Sequence, residues 1–267
     1  MHWLCLLSKL LERGILLKAV DINCYIGNWP FRKLRRNTIE DLQKIHMENN
    51  IEYGYISSLN SIFYNDPFEA EEDLHEAVKD TPYKHIMTIN PLLPEFEQDI
   101  DMGIREFNIK GIKIFPGYHG YSLQDESLER LCNILDDYGL PLFVAIRMED
   151  ERLNYIMKPK QPSINEICNF IKNHNNTIIF LSMLYGELMA CKDYIREAKN
   201  VFFDTSGIRN FLGIEKLLGT FNADKILYGS QFPLYCLKSS FLMTDKAQIG
   251  DEEKRKIFYK NAHFLNK

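Results

Sequence analysis

The sequence predicts one α/β domain, a closed single-domain (β/α)₈ (TIM) barrel over residues 20–267, preceded by an N-terminal extension or short helix at residues 1–19. Three observations carry this. Apolar runs rich in β-branched and aromatic residues alternate, eight times over, with stretches whose apolar residues recur at spacings of three and four. Eight such rounds within 267 residues match a barrel in both count and size. After the first run, Gly27-Asn28-Trp29-Pro30 is not the Gly-rich phosphate turn that an open doubly wound sheet would place there.

The elements follow in order. The first strand is expected over residues 15–26 and the second over 51–59, with a helix at 39–49 between them. A helix at 70–79 leads to a third strand at 85–92, and a short fourth strand lies at 111–115. The helix at 128–138 has Leu128, Leu131, Ile134 and Leu135 on one face and Glu129, Arg130, Asp136 and Asp137 on the other. Gly139 then supplies the stop before the fifth strand at 140–148. Helices at 164–173 and 187–199 separate the sixth strand, 177–183, from its neighbours, and strands at 201–204 and 225–228 complete the set. No linker, low-complexity segment or second domain interrupts the pattern.

Residues 1–19 open apolar, but Lys9, Glu12 and Arg13 follow without a small-residue cleavage site. A signal peptide carries its positive charge ahead of the apolar stretch. A short amphipathic helix closing the barrel floor is one reading, and a start codon placed upstream of the true one is another.

Composition narrows the function classes. With 45% apolar residues the chain can bury a large core, and its net charge of −5 with scattered basic residues argues against a nucleic-acid or anionic-membrane surface. The six cysteines are widely spaced without a CxxC pair, which predicts reduced, mostly buried thiols and a cytoplasmic protein. No apolar run reaches the roughly 18 residues that would span a bilayer.

In a barrel the chemistry sits at the C-terminal strand ends, so inward-pointing residues there are the candidates. Strand alternation places Asp21, Asn23 and Tyr25 on one face of the first strand and Ile22, Cys24 and Ile26 on the other. The fourth strand offers Lys113, the fifth Ala145, Arg147 and Glu149, the sixth Met183, the seventh Asp204 and Ser206, and the eighth Gln231.

These landmarks together resemble the amidohydrolase superfamily, specifically its amidohydrolase-related branch of barrel hydrolases and decarboxylases. The run from Asp21 to Pro30 is similar to that branch's first-strand signature, Asp-x-His-x-His leading to a glycine. Gly111–Pro116 in sequence is similar to its fourth strand, Gly139 through Val144 to its fifth, Phe203-Asp204-Thr205-Ser206-Gly207 to its seventh and residues 225–233 to its eighth. Residues 255–262 are similar to its terminal helix. The resemblance implies a metal at the mouth, but the positions that would bind it differ. Asn23 and Tyr25 replace the two histidines, Ala145 and Met183 fall where the strand-five and strand-six histidines belong, and Gln231 replaces the eighth-strand aspartate. A zinc site needs about three or four nitrogen, sulfur or carboxylate ligands converging on the ion. Of the seven histidines only His119 falls near the mouth. The expectation is therefore no metal and no cofactor.

Each candidate has two readings. Lys113 and Arg147, on adjacent strands, either hold a carboxylate or phosphate of a small anionic molecule, or neutralise Asp21, Asp204 and Glu149 in a structural ion network. Asp21 and Asp204 either act as general acid or base, with Arg147, or orient neighbouring strands. Asn23, Tyr25, Lys113, His119, Glu149 and Gln231 are the candidate ligand-binding set. Tyr25, Tyr118, Tyr121 and Trp29 either wall a pocket or cover the barrel top. Cys24 is expected as a buried structural thiol, and Cys236 as an exposed thiol without a partner histidine.

The leading functional expectation is binding, or metal-independent turnover, of a small anionic molecule at the C-terminal mouth, as a hydrolase or lactonase. A non-catalytic pseudoenzyme serving as ligand-binding or partner subunit is the alternative, and a metal-dependent hydrolase or decarboxylase is the second. Association into a homo-oligomer is left open.

Overall fold

The computed structural model describes residues 18–266 other than 151, 154 and 156. The N-terminal extension and residues 15–17 of the expected first strand lie outside the described residues, and Ala19 already belongs to the first strand. Among the described residues nine strand segments occur, β1 (Ala19–Ile26), β2 (Ile51–Ser58), β3 (Lys84–His85), β4 (Met87–Thr88), β5 (Ile112–Ile114), β6 (Leu142–Ala145), β7 (Ile179–Ser182), β8 (Val201–Asp204) and β9 (Ile226–Leu227). All recorded pairings are parallel.

β3 and β4 are two pieces of the third strand, joined through Ile86. Its N–H donates to the Ile56 carbonyl at 2.8 Å, while the next N–H, on Met87, donates to Gly111 at 3.1 Å. The ring closes between first and last strands, where the Ile22 N–H donates to Tyr228 at 2.9 Å and the Tyr25 N–H to Phe232 at 2.8 Å. Eight strands in a closed parallel ring form the expected (β/α)₈ barrel.

Local chemistry explains the helix starts. Thr38 caps Ile39–Glu48 and Asp66 caps Pro67–Val78, while Asp125 caps Glu126–Tyr138. Ser163 and Glu166 form a reciprocal capping box on Ile164–Asn173. Gly139, at φ +66°, ends Glu126–Tyr138 in the left-handed region that glycine accepts without a Cβ clash. The expected helix at 187–199 is instead two, Tyr185–Ala190 and Lys192–Glu197. They meet at Cys191, whose buried sulfur lies 3.4 Å from that of Cys168 and whose ψ of 7° departs from helical values. Among the described residues no helix is long and apolar enough to cross a membrane.

Three apolar layers position the site. A large cluster, with Cys24, Leu42, Leu74, Leu128 and Met183, fills the space between barrel and helices. Inside the barrel floor, Val20, Ile22, Tyr55, Phe143, Phe180 and Leu227 pack together, with the Phe143–Phe180 rings stacked at 4.8 Å and Phe180–Phe202 at 5.5 Å. A third cluster, with Tyr25, Trp29, Leu59, Phe115, Met148 and Leu234, caps the mouth.

One irregularity changes which residues face inward. Asp21 pairs with Gly54 but Cys24 pairs with Ile56, so β1 carries one residue more than β2 across this interval. Such a bulge reverses the alternation on one side of it. Ile22 therefore joins the barrel interior, Asn23 and Tyr25 also point in, and the Asp21 carboxylate turns to the helix side. The expected shared face of Asp21, Asn23 and Tyr25 is corrected on this point. β7 differs as well. Ser182 points inward and Met183 packs against the helices, because inward Phe180 sets the parity.

Phe180→Ala should lose about 3–5 kcal/mol of stability, the range for deleting a fully buried aromatic side chain from a stacked core. Urea unfolding would measure this, and a loss under about 1 kcal/mol would mean that the interior stack is not a tight core.

Candidate functional site

Above the aromatic floor lies a buried polar centre. The Asn23 side chain spans it. Its Oδ1 accepts from Lys113 Nζ at 2.9 Å, and its Nδ2 faces Ser182 Oγ at 3.0 Å, Asp204 Oδ2 at 3.1 Å and Ser206 Oγ at 3.2 Å. Ser182 Oγ also donates to Asp204 Oδ2, and the Ser206 backbone N–H donates to Asp204 Oδ1 at 2.7 Å. Asn23, Lys113 and Asp204 are each only 1% exposed, so water does not screen them. Gly229 makes the close packing feasible, since a Cβ there would sit 3.0 Å from the Asn23 and Asp204 side chains.

Burial sets the electrostatics. It pushes the Lys113 ammonium down to about 8, with Asp204 partly opposing the shift. Burial also raises Asp204 above the usual carboxylate range, against the hydrogen bonds from Ser182 and Ser206 and the charge of Lys113. Lys113 Nζ lies 4.3 Å from the Tyr25 ring centroid and 5.7 Å from that of Phe143, so π faces supply part of its solvation.

Tyr25 closes this centre from above. Its hydroxyl is 3.3 Å from Lys113 Nζ and 3.5 Å from Met148 Sδ, and it is fully buried. Gln231 completes the seal. Its Nε2 donates to the Arg147 carbonyl at 2.6 Å, and its backbone N–H donates to Asn23 at 2.7 Å. Gln231 holds φ +56°, a left-handed conformation costing a non-glycine residue roughly 1–2 kcal/mol.

The remaining candidates lie elsewhere. Arg147 bonds Glu187 Oε1 at 2.7 Å, and Glu187 Oε2 accepts from the Leu184 N–H at the start of Tyr185–Ala190. Lys113 and Arg147 share none of these partners, one reaching into the polar centre and the other across the rim. Glu149 Oε1 accepts from Arg32 Nε at 2.9 Å, and its buried Oε2 has no hydrogen-bond partner. His119 Nε2 meets the Ile62 carbonyl at 3.1 Å, and burial holds its ring down to about 4. Trp29 sits edge-on to Phe31, Phe63 and Tyr118 in the cap, Tyr121 is buried in the helix-side cluster, and Cys236 is exposed.

A cavity of about 240 Å³ opens over this rim, lined by Phe31, Tyr118, Arg147, Glu149, Tyr155 and Lys158 among others. Phe31 and Tyr155 stack at 5.0 Å along its wall. Of these residues, only Tyr118, Arg147 and Glu149 were legible as candidates. Phe31, Tyr155 and Lys158 lie in loops whose course no periodicity fixes. Ser182 could have been found by carrying the parity of Phe180 two residues on.

The closed parallel ring with its polar centre at the C-terminal strand ends defines the class of protein as a (β/α)₈ barrel. The sequence matches the amidohydrolase family model over residues 60–265, and the chain belongs to that family. No match was found among curated protein sequences. Among solved structures it is similar to an uncharacterised TIM-barrel protein from Bordetella bronchiseptica, with a TM-score of 0.72 at 16% identity over 94% of this chain and 98% of that one. It is also similar to 5-carboxyvanillate decarboxylase from Sphingomonas paucimobilis, with a TM-score of 0.73 at 12% identity over 93% and 98%. A third is a dihydroxybenzoic acid decarboxylase from a Polaromonas species, bound to manganese and 2-nitroresorcinol, with a TM-score of 0.72 at 13% identity over 93% and 96%.

The lowered Lys113 value fixes a sign for pH dependence. Between about 8 and the ordinary lysine value of 10.5, the unfolded chain holds a proton that the folded chain has shed, so stability from this group rises with pH across that window. Denaturant titrations at pH 7.5 to 10.5 should show wild type gaining stability relative to Lys113→Met. A constant difference between the two proteins would contradict the buried, lowered lysine.

Proposed function

We propose that this chain is a member of the amidohydrolase family that no longer runs metal-dependent chemistry in its interior and instead binds a small aromatic carboxylate in the rim cavity. The observation that carries the reading is Lys113. Its ammonium occupies the polar centre, hydrogen-bonded to Asn23 and roofed by Tyr25 and Met148. The groups around it are the Asn23 amide, the hydroxyls of Tyr25, Ser182 and Ser206, and the single carboxylate of Asp204. That set does not fit manganese or zinc, which call for several carboxylate or imidazole ligands converging on the ion. A divalent cation would also stand against a buried ammonium.

The rim cavity supports the ligand class. Aromatic walls from Phe31, Tyr118 and Tyr155 suit a flat ring, and Arg147 and Lys158 contribute positive charge at its edge. About 240 Å³ is near the lower end of ligand cavities, which favours a ring with a few substituents over a larger molecule. Two of the structural relatives are decarboxylases of substituted benzoic acids. Arg147 is held in place by Glu187, so its planar fork is oriented before a ligand arrives. Glu149 Oε2, lacking a donor, suits a hydroxyl on the ring.

Turnover is not part of the reading. Asp204 and Lys113 lie beneath the seal of Tyr25, Met148 and Gln231, and a general acid or base must come within hydrogen-bond reach of the proton it moves. Asp21 is farther removed, on the helix side of β1. The binding reading and the pseudoenzyme reading thus converge, with ligand sensing as the use of the site.

A thermal-shift screen of hydroxybenzoates and small aliphatic carboxylates should find stabilisation by the aromatic acids. Arg147→Ala should weaken the best ligand about 10- to 100-fold, the cost of one charge-assisted hydrogen bond. Affinity unchanged in that variant would place binding elsewhere. Decarboxylation or ester hydrolysis that is stimulated by manganese and abolished in Asp204→Asn would instead support a metal-dependent hydrolase or decarboxylase.

A further inference from the structure

A second buried cluster lies on the opposite side of the barrel wall, between β1, β2 and the helix Ile39–Glu48. Asp21, Cys24 and His46 each offer one ligand atom there, and these atoms all lie within 4.8 Å of one another. Asp21 and Cys24 are fully buried and His46 is 1% exposed. Asp21 Oδ2 and His46 Nε2 face each other at 3.4 Å, and neither has a hydrogen-bond partner. On its other side, Asp21 is fixed. Oδ1 accepts from the Ser230 N–H at 3.0 Å and from the Asn23 N–H at 3.1 Å.

His46 is oriented from behind. Its Nδ1 lies 2.9 Å from the Tyr83 hydroxyl, and the two rings stack at 5.6 Å. When Nδ1 donates to Tyr83, Nε2 presents a lone pair to a carboxylate oxygen. In that tautomer two buried acceptors face each other, an arrangement that a positive species between them satisfies.

The geometry suits an ion of the zinc class. Oxygen and nitrogen ligands at about 2.0–2.1 Å from zinc, set at the tetrahedral angle, lie roughly 3.3–3.4 Å apart. That is the separation of Asp21 Oδ2 and His46 Nε2. Room exists because residue 54 is a glycine. A Cβ there would sit 2.6 Å from Cys24 Sγ and 3.2 Å from His46 Cε1. An entry path exists too, since a surface cavity of about 330 Å³ is lined by His46, Tyr83 and Gln43. Imidazole, thiolate and carboxylate together select a zinc-like ion over magnesium or calcium.

We propose that Asp21, Cys24 and His46 form a zinc-class metal site behind the barrel wall, with Tyr83 orienting the histidine. The ion takes the imidazole Nε2, one carboxylate oxygen and the Cys24 sulfur, whose thiol proton leaves to solvent as the metal binds. A water entering from the cavity beside His46 completes the coordination. The site is separate from the interior polar centre and ties β1 to its packing helix.

The test uses the full chain, stripped with a chelator and titrated with zinc against a chromophoric competitor, and with cobalt(II) as a spectroscopic stand-in. About one ion per chain should bind, and the cobalt form should show a sulfur-to-metal charge-transfer band that disappears in Cys24→Ser. Tyr83→Phe keeps all three ligands and should weaken zinc about 10- to 100-fold, as expected when a metal-bound histidine loses its orienting partner. Gly54→Ala should weaken it as well. Absence of the thiolate band, or equal zinc affinity in wild type, Cys24→Ser and Tyr83→Phe, would overturn the proposal and leave Asp21 and His46 as an ion pair only. Binding that survives those variants but is lost in Asp204→Asn would overturn it too, placing the ion inside the barrel and against the interior reading.

Discussion

The Asp21 carboxylate is the constraint on which both buried clusters depend. Its Oδ1 accepts the Ser230 N–H from the segment after the last strand and the Asn23 N–H from its own strand. The first contact helps close the barrel seam, and the second holds the bulge in β1. Without that bulge a strictly alternating strand would put Ile22 and Asn23 on opposite faces. With it, Ile22 packs into the barrel floor, Asn23 points into the polar centre, and Cys24 sits on the helix side beside the outer oxygen of Asp21. One side chain with two acceptor atoms thereby assigns neighbouring residues to different compartments.

The interior carries its charge in a form that needs nothing from solvent. Lys113 and Asp204 are held on either side of the Asn23 amide, whose carbonyl faces the cation and whose amino group faces the anion. A buried pair of this sort costs several kcal/mol of desolvation per ion, and it survives only when hydrogen bonds satisfy it well. Ser182, Ser206 and two aromatic faces provide that satisfaction. The cap of Tyr25, Phe115 and Met148 then excludes water, which strengthens each of these interactions and removes the groups from contact with anything entering at the rim.

Most of the fold was legible in the sequence, because alternating periodicities of two and 3.6 report burial directly. The eight strands emerged with their order intact, and the stop at Gly139 lies where the helix before it ends. Strand parity put Lys113 and Asp204 on the inner face, and both side chains meet Asn23 in the polar centre. Parity failed where the backbone broke its own alternation, at Asp21, and where a strand was counted one residue out, at Ser182 against Met183. The Asp21, Cys24 and His46 cluster was outside the reach of an inward-only reading. It joins two residues of a bulged strand to a helical histidine 22 positions after Cys24, and no short spacing announces such a convergence. The rim residues Phe31, Tyr155 and Lys158 come from loops whose course depends on tertiary packing.

The aromatic cap has an optical consequence. The sequence contains two tryptophans, Trp3 and Trp29, and Trp29 lies 4% exposed among Phe31, Phe63 and Tyr118. Phe31 and Tyr118 also line the rim cavity, so a single layer of rings separates the indole from whatever occupies it. The emission of Trp29 is thus coupled to the cavity through shared neighbours, and the chain carries an intrinsic fluorophore at the boundary between its sealed interior and its open face.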